Sequence, residues 1–152
     1  MTISQKLSDL GIELPDVVPP VAAYVPAVVH GDLVYTSGQL PMAGGRLPAT
    51  GKVGGDVAAD DAKTYARQSA LNAIAAAAAA VGGVDHLTGV VKVTGFVAST
   101  PDFTGQPGVI NGASELLGEV FGEAGQHARS AVAAPVLPLD SPVEVEVVFS
   151  FA

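Results

Sequence analysis

Residues 143–151, VEVEVVFSF, alternate with a period of two. Val143, Val145, Val147, Phe149 and Phe151 share one face, and Glu144, Glu146 and Ser150 share the other. A segment of this kind constrains the chain severely. Sliding it by one residue would put the apolar set in water and the carboxylates in the core. It therefore requires a sheet with one dry face, and something apolar to cover that face.

Cover is available from Asp56 to about Val81, where Ala62, Tyr65, Ala66, Ser69 and Ala73 recur at helical spacing. Asp56 is the expected N-cap and Gly82-Gly83 the stop. The run Ala75–Ala80 is low in complexity, but alanine is the strongest helix former and lets a helix lie close to a sheet. A second helix is predicted from Val109 to about Ala124, with Leu116, Leu117, Val120 and Phe121 on its apolar side. A short one is predicted over residues 2–10, with Ile3, Leu7 and Leu10 on one face. Strands are predicted at 21–29 and 32–37, as a hairpin around His30-Gly31-Asp32, and at Val90–Val97 and Arg129–Leu137. The prolines of 15–20 suggest a linker or an extended edge, and the glycines of 41–55 a loop.

The order β-β-α-β-α-β-β predicts an α+β fold, a mixed sheet with two helices packed on one face. Residues 1–20 read as an N-terminal extension and 21–152 as a single domain. The opposite sheet face then needs a cover, and oligomerisation is the obvious one.

Composition narrows the function classes. There is no cysteine, which removes disulfides, thiolate metal sites and a cysteine nucleophile. The net charge of −8 and the scarcity of aromatics argue against nucleic acid, whose binders usually carry a basic footprint. No run of 18 apolar residues is present, and the N-terminal residues lack a basic segment followed by an apolar one. A cytoplasmic protein without a membrane partner is the expectation.

Few motifs survive inspection. GGRLPATGKVGG at 44–55 resembles a phosphate loop, but Gly45 and Gly51 are separated by five residues where four are required. Val53 also stands where the magnesium-binding hydroxyl belongs. His30, His86 and His127 are scattered without metal-ligand spacing, and no metal is expected. Ser114 and Ser130 lack the context of a nucleophile elbow.

Arg129 raises a sharper question. It is one of only seven Lys and Arg residues, and it opens an apolar run, ARSAVAAPVLP. An unpaired buried charge costs several kcal/mol, so a partner is expected. Either a glutamate of the last strand supplies it, if the two strands are neighbours, or an anionic ligand does. Glu144 and Glu146 would otherwise be the solvated side of an edge strand.

Three blocks bear on this choice: LVYTSGQLP at 33–41, VVKVTGFVASTPDF at 90–103, and ARSAVAAPVLPLDSPVEVE at 128–146. Together and in this order they resemble the Rid family (YjgF/YER057c/UK114) over about residues 21–150. The resemblance implies a chorismate-mutase-like fold assembled as a homotrimer, with sites in clefts between protomers. It implies hydrolysis of 2-imino and enamine acids to 2-oxo acids and ammonia without a cofactor. It also leaves room for a metabolite-binding, chaperone-like or regulatory trimer, and for an endoribonuclease or translation inhibitor.

Carried over by position, Arg129 corresponds to the arginine that binds the substrate carboxylate, and Glu144 to the glutamate that positions water. Tyr24, Ser37, Gly38 and Asn111 correspond to substrate-binding positions, as does the backbone of Ala131. The expected partner is thus a small carboxylate-bearing metabolite. The chain departs from the family pattern at Ala22-Ala23-Tyr24, where Gly-Pro-Tyr is usual. It departs also in a longer 103–111 segment, and at His127, where a proline is common.

Overall fold

The computed structural model describes residues 1–20 and 22–152. In chain order the elements are α1 (Ile3–Asp9), β1 (Ala27–His30), β2 (Leu33–Thr36), α2 (Ala59–Val81), β3 (Leu87–Ala98), α3 (Gln106–Phe121), β4 (Ala128–Ala134) and β5 (Val143–Phe151). The strands form one sheet in the order β1-β2-β5-β3-β4. Among the named strands of the described residues, β3 and β4 form the one parallel pair, and α3 provides the crossover that such a pair requires. The expected α+β fold, a mixed sheet with two long helices on one face, is what the chain adopts; α1 is a third, short helix.

The alternation that opened the sequence places β5 at the centre of the sheet. Val143, Val145, Val147 and Phe149 are buried on the helix-covered face, beneath α2 and α3. Phe149 meets Phe121 of α3 with ring centroids 5.8 Å apart. The alanine-rich part of α2 lies against this face: Ala73, Ala75, Ala76, Ala77 and Ala78 are all buried. Small side chains also bring α2 and α3 together. At Gly112 of α3, a methyl group would overlap the Lys63 carbonyl of α2.

Several boundaries differ from expectation, each for a physical reason. Asp56 does not cap α2; it lies in a turn between the bridged residues Val53 and Val57, and α2 begins at Ala59. Asp60 and Asp61 instead place their charges in the first turn, where the helix dipole favours them. Strand β1 starts only at Ala27, after Pro26, and Val21 of the expected strand lies outside the described residues. Helix α3 starts three residues early, because Pro107 fits the first turn, where its missing N–H is no loss. It closes at Phe121 and passes into a 3-10 turn over 122–125. Strand β4 stops at Ala134, before Pro135, not at Leu137. Leu10 is exposed at the end of α1, so Leu7 anchors that helix.

The other sheet face is largely open among the described residues. Val28, Tyr35 and Val132 on it remain more than 40% exposed, and none of the three helices packs there.

Candidate functional site

Arg129 and Glu144 leave the sheet from opposite faces. Arg129 pairs with Val93, whose side chain is in the helix-side core, so the arginine rises beside α3. Glu144 pairs with Phe96 on the bare face. Strand β3 lies between β4 and β5, so the two strands are not neighbours and no Arg129–Glu144 pair forms within a protomer. Two strand spacings of about 4.8 Å separate their backbones before the side chains diverge. The proposed internal ion pair is therefore ruled out by the sheet order.

The guanidinium finds neutral partners. Nη1 donates to Asn111 Oδ1 at 2.8 Å and to Ser114 Oγ at 3.2 Å, and Nη2 donates to the Pro107 carbonyl at 3.4 Å. All three acceptors belong to α3. No carboxylate lies within ion-pair distance among the described residues; the two bridges found there are Lys63–Glu115 and Arg67–Glu119, between α2 and α3. Three of five guanidinium hydrogens are used, which leaves a full positive charge and two donors for a ligand.

Glu144 is held in a second cluster. A methyl group at Gly38 would overlap its carboxylate, so the absent side chain of Gly38 makes room for Glu144. The turn carrying Gly38 is stitched to β5: the Gln39 and Val145 backbones exchange hydrogen bonds at 2.8 and 3.0 Å. Buried Gln39 also donates through Nε2 to the Ser37 carbonyl at 3.2 Å. Ser37 Oγ donates to the Val25 carbonyl at 2.7 Å, tying the chain before β1 to the same turn. From below, Asn72 of α2 donates to the Leu40 and Met42 carbonyls, both at 3.0 Å. Burial pushes the Glu144 carboxyl above its ordinary range, and the Glu146 charge beside it adds to the shift.

Beside Gly38 opens a cavity of about 800 Å³, lined by Val17, Val18, Tyr24, Met42 and Leu139 among others. The segment 15–20, expected as a linker or edge, is one of its walls. Leu139, which lines it, and the adjacent Asp140 both adopt φ near +60°, a conformation that disfavours side chains by about 1–2 kcal/mol each.

The expected residues thus fall into two groups. Asn111 joins Arg129 on the helix side, and Ala131 follows two residues along the same face of edge strand β4. Ser37, Gly38 and Tyr24 gather with Glu144 or its adjoining cavity. Sequence reasoning missed Gln39, although it is the third residue of the SGQ turn. It also missed Ser114 and His127. Ser114 Oγ is 2.9 Å from His127 Nε2, and His127 Nδ1 is 2.6 Å from the Gly125 carbonyl. Their spacing of thirteen residues across two elements carries no local signal. No group of three or more potential metal-ligating residues occurs among the described residues, and no helix is long and apolar enough to cross a membrane.

Residues 4–152 match the family model described as "YjgF/chorismate_mutase-like, putative endoribonuclease". The chain is 41% identical to Protein TCP17 of Trypanosoma cruzi over 95% of its own length and 91% of that protein. Among solved structures, the Agrobacterium tumefaciens protein Atu1372, of unknown function, superposes with a TM-score of 0.90 at 42% identity, covering 99% of this chain and 92% of that one. Escherichia coli TdcF with bound serine superposes with a TM-score of 0.62 at 27% identity, covering 91% and 93%.

Proposed function

The chain belongs to the YjgF/YER057c/UK114 (Rid) family, and from that premise we propose that it hydrolyses 2-imino acids to 2-oxo acids and ammonia. The observation that carries this reading is Arg129: a guanidinium held by three neutral acceptors, its charge uncompensated and two donors free. Two parallel N–H donors match a carboxylate, and the planar fork gives them the geometry that a lysine lacks. TdcF, a fold relative, is known with bound serine, which carries a carboxylate and an amine on one carbon.

The chemistry asks little of the protein. An iminium carbon is already electrophilic, so orientation and one placed water suffice. Water adds to that carbon while Glu144 takes its proton. Glu144 returns that proton to the carbinolamine nitrogen; as the C–N bond breaks, the hydroxyl gives its proton to the Glu144 carboxylate, the carbonyl of the 2-oxo acid forms, and ammonia leaves. A carboxyl with a raised pKa suits this exchange, since its proton affinity is closer to the working pH. No step calls for a cofactor.

Because Arg129 and Glu144 point to opposite faces of one sheet, the proposal requires two copies. Arg129 of one protomer faces the Glu144 cluster of the next, in a homotrimer whose contacts cover the bare sheet face. The exposed Val28, Tyr35 and Val132 on that face support such packing. An endoribonuclease, suggested by the wording of the family description, is opposed by the net charge of −8.

The test is to generate 2-iminobutyrate with a threonine dehydratase and follow its loss. The protein should accelerate the loss, and Arg129→Ala should reduce kcat/KM by about 10- to 100-fold, the worth of a charge-assisted hydrogen-bond pair. No acceleration with any 2-imino acid refutes the proposal.

A further inference from the structure

Arg129 can only donate, and this fixes the direction of every bond around it. Ser114 Oγ accepts from Nη1 at 3.2 Å, so its own proton is free for another acceptor. His127 Nε2 lies 2.9 Å from that oxygen. On the other side of the ring, Nδ1 is 2.6 Å from the Gly125 carbonyl. A carbonyl only accepts, so Nδ1 carries a proton, and in the neutral ring Nε2 is bare and accepts from Ser114. The chain of donation therefore runs one way, from the guanidinium to Ser114, to His127, to the Gly125 carbonyl.

We propose that Ser114 and His127 are positioning residues, a relay that fixes the plane of the Arg129 guanidinium in the orientation that receives a substrate carboxylate. The inference rests on the reading of Arg129 as carboxylate anchor. Asn111, at 2.8 Å from Nη1, defines one N–H direction, and the long 3.4 Å bond from Nη2 to the Pro107 carbonyl restrains the plane only weakly. With Ser114 as a second acceptor on the same nitrogen, both Nη1 hydrogens are committed and the plane is set. Ser114 can hold this place only while its hydroxyl proton points away from the arginine, and the bare Nε2 of His127 draws it away. Nε–H and the remaining Nη2–H are then left for a ligand, the number a bidentate carboxylate takes. Asn111 and Ser114 stand at i and i+3 on α3, while His127 and Arg129 stand at i and i+2 at the mouth of β4. Two elements are thereby locked around one side chain.

The test uses isotope-labelled full-length protein, with Ser114→Ala and His127→Phe. Imidazole nitrogen shifts report the His127 tautomer, and rotation about the Cζ–Nη1 bond of Arg129 reports how firmly the guanidinium is held. The wild type should show the Nδ1–H tautomer and slow rotation, with rotation on the order of tenfold faster in each variant once a neutral-length hydrogen bond is lost. The dissociation constant for 2-oxobutyrate, the probe carboxylate, should rise about three- to tenfold in each variant, with no further rise in the double variant. In an Arg129→Ala background the substitutions should leave that constant unchanged. A wild-type His127 in the Nε2–H tautomer overturns the relay, and this reading needs no variant to fold. Unaltered Nη1 rotation in both variants overturns it as well. Intact NMR signatures without any 2-oxobutyrate affinity would instead refute the carboxylate anchor, and with it the purpose of the relay.

Discussion

Gly38→Ala separates the chemistry of the site from the stability of the fold. The backbone of Gly38 is not in the left-handed region, so an alanine there meets no conformational penalty of its own. Its methyl group would, however, overlap the Glu144 carboxylate, with Cδ at 2.9 Å and Cγ at 3.1 Å from the new carbon. The obstacle is the end of a flexible side chain rather than backbone, so the glutamate swings aside. An off-rotamer displacement costs about 0.5–1.5 kcal/mol. In a domain of this size that lowers the melting temperature by about 1–6 °C, at 2–4 °C per kcal/mol. Catalysis should suffer far more, since a 1 Å misplacement of a reacting group costs on the order of 100-fold in rate. The assay pairs a thermal melt with imine hydrolysis and 2-oxobutyrate titration. We expect a small thermal shift, a roughly 100-fold fall in kcat and unchanged carboxylate affinity, because Arg129 is untouched. Full activity with a bulkier residue 38 would refute the role of Glu144 in placing water. Wholesale unfolding would show that the glutamate has nowhere to go.

Other outcomes follow from the same contacts. Glu144 binds its proton more tightly in the folded protein than in the unfolded chain, so its ionisation opposes folding. That destabilisation is absent below the ordinary glutamate range and is complete once the pH has risen above the raised folded value. Glu144→Gln should therefore be the more stable protein at neutral pH, with the advantage disappearing in acid, as denaturant titrations across pH would reveal. Gly112→Ala pushes a methyl into the Lys63 carbonyl and should cost about 1–3 kcal/mol by prising α2 from α3, measured as a lower urea midpoint. Asp85 accepts from the Ser4 amide at 2.7 Å and its hydroxyl at 2.8 Å, bonds that hold its carboxyl below the usual range. Asp85→Ala should release the start of α1, seen as faster amide exchange over 3–10, while carboxylate binding stays unchanged.

Much of the architecture was legible because its signals are local. The period-two pattern of β5 fixed which of its residues are buried, and the alanine run of α2 could serve only where a helix approaches a sheet closely. Gly82 ends α2 with φ at +87°, which a glycine adopts freely. Strand order was not legible, because nothing in VEVEVVFSF says whether its neighbours are β2 and β3 or β4. The face of Arg129 was equally hidden. ARSAVAA lacks the contrast between apolar and polar positions that assigns a face, and β4 sits at an edge where both sides are partly open. Pro107 did carry a signal for the start of α3, as a proline suited to a first turn, yet the apolar pattern that marks the helix begins only at Val109. The Ser114–His127 contact depends on a turn of helix meeting the entry of a strand, and only three-dimensional packing brings the two together.

The proposed working site combines Arg129 of one protomer with Glu144 of its neighbour. Arg129→Ala and Glu144→Gln proteins, each strongly impaired alone, can be unfolded together and reassembled from an equal mixture. In randomly mixed trimers, a site has a one-half chance of receiving each intact residue, so activity should return to about one quarter of the wild-type value. A mixture no more active than the average of its two components would contradict the intersubunit site.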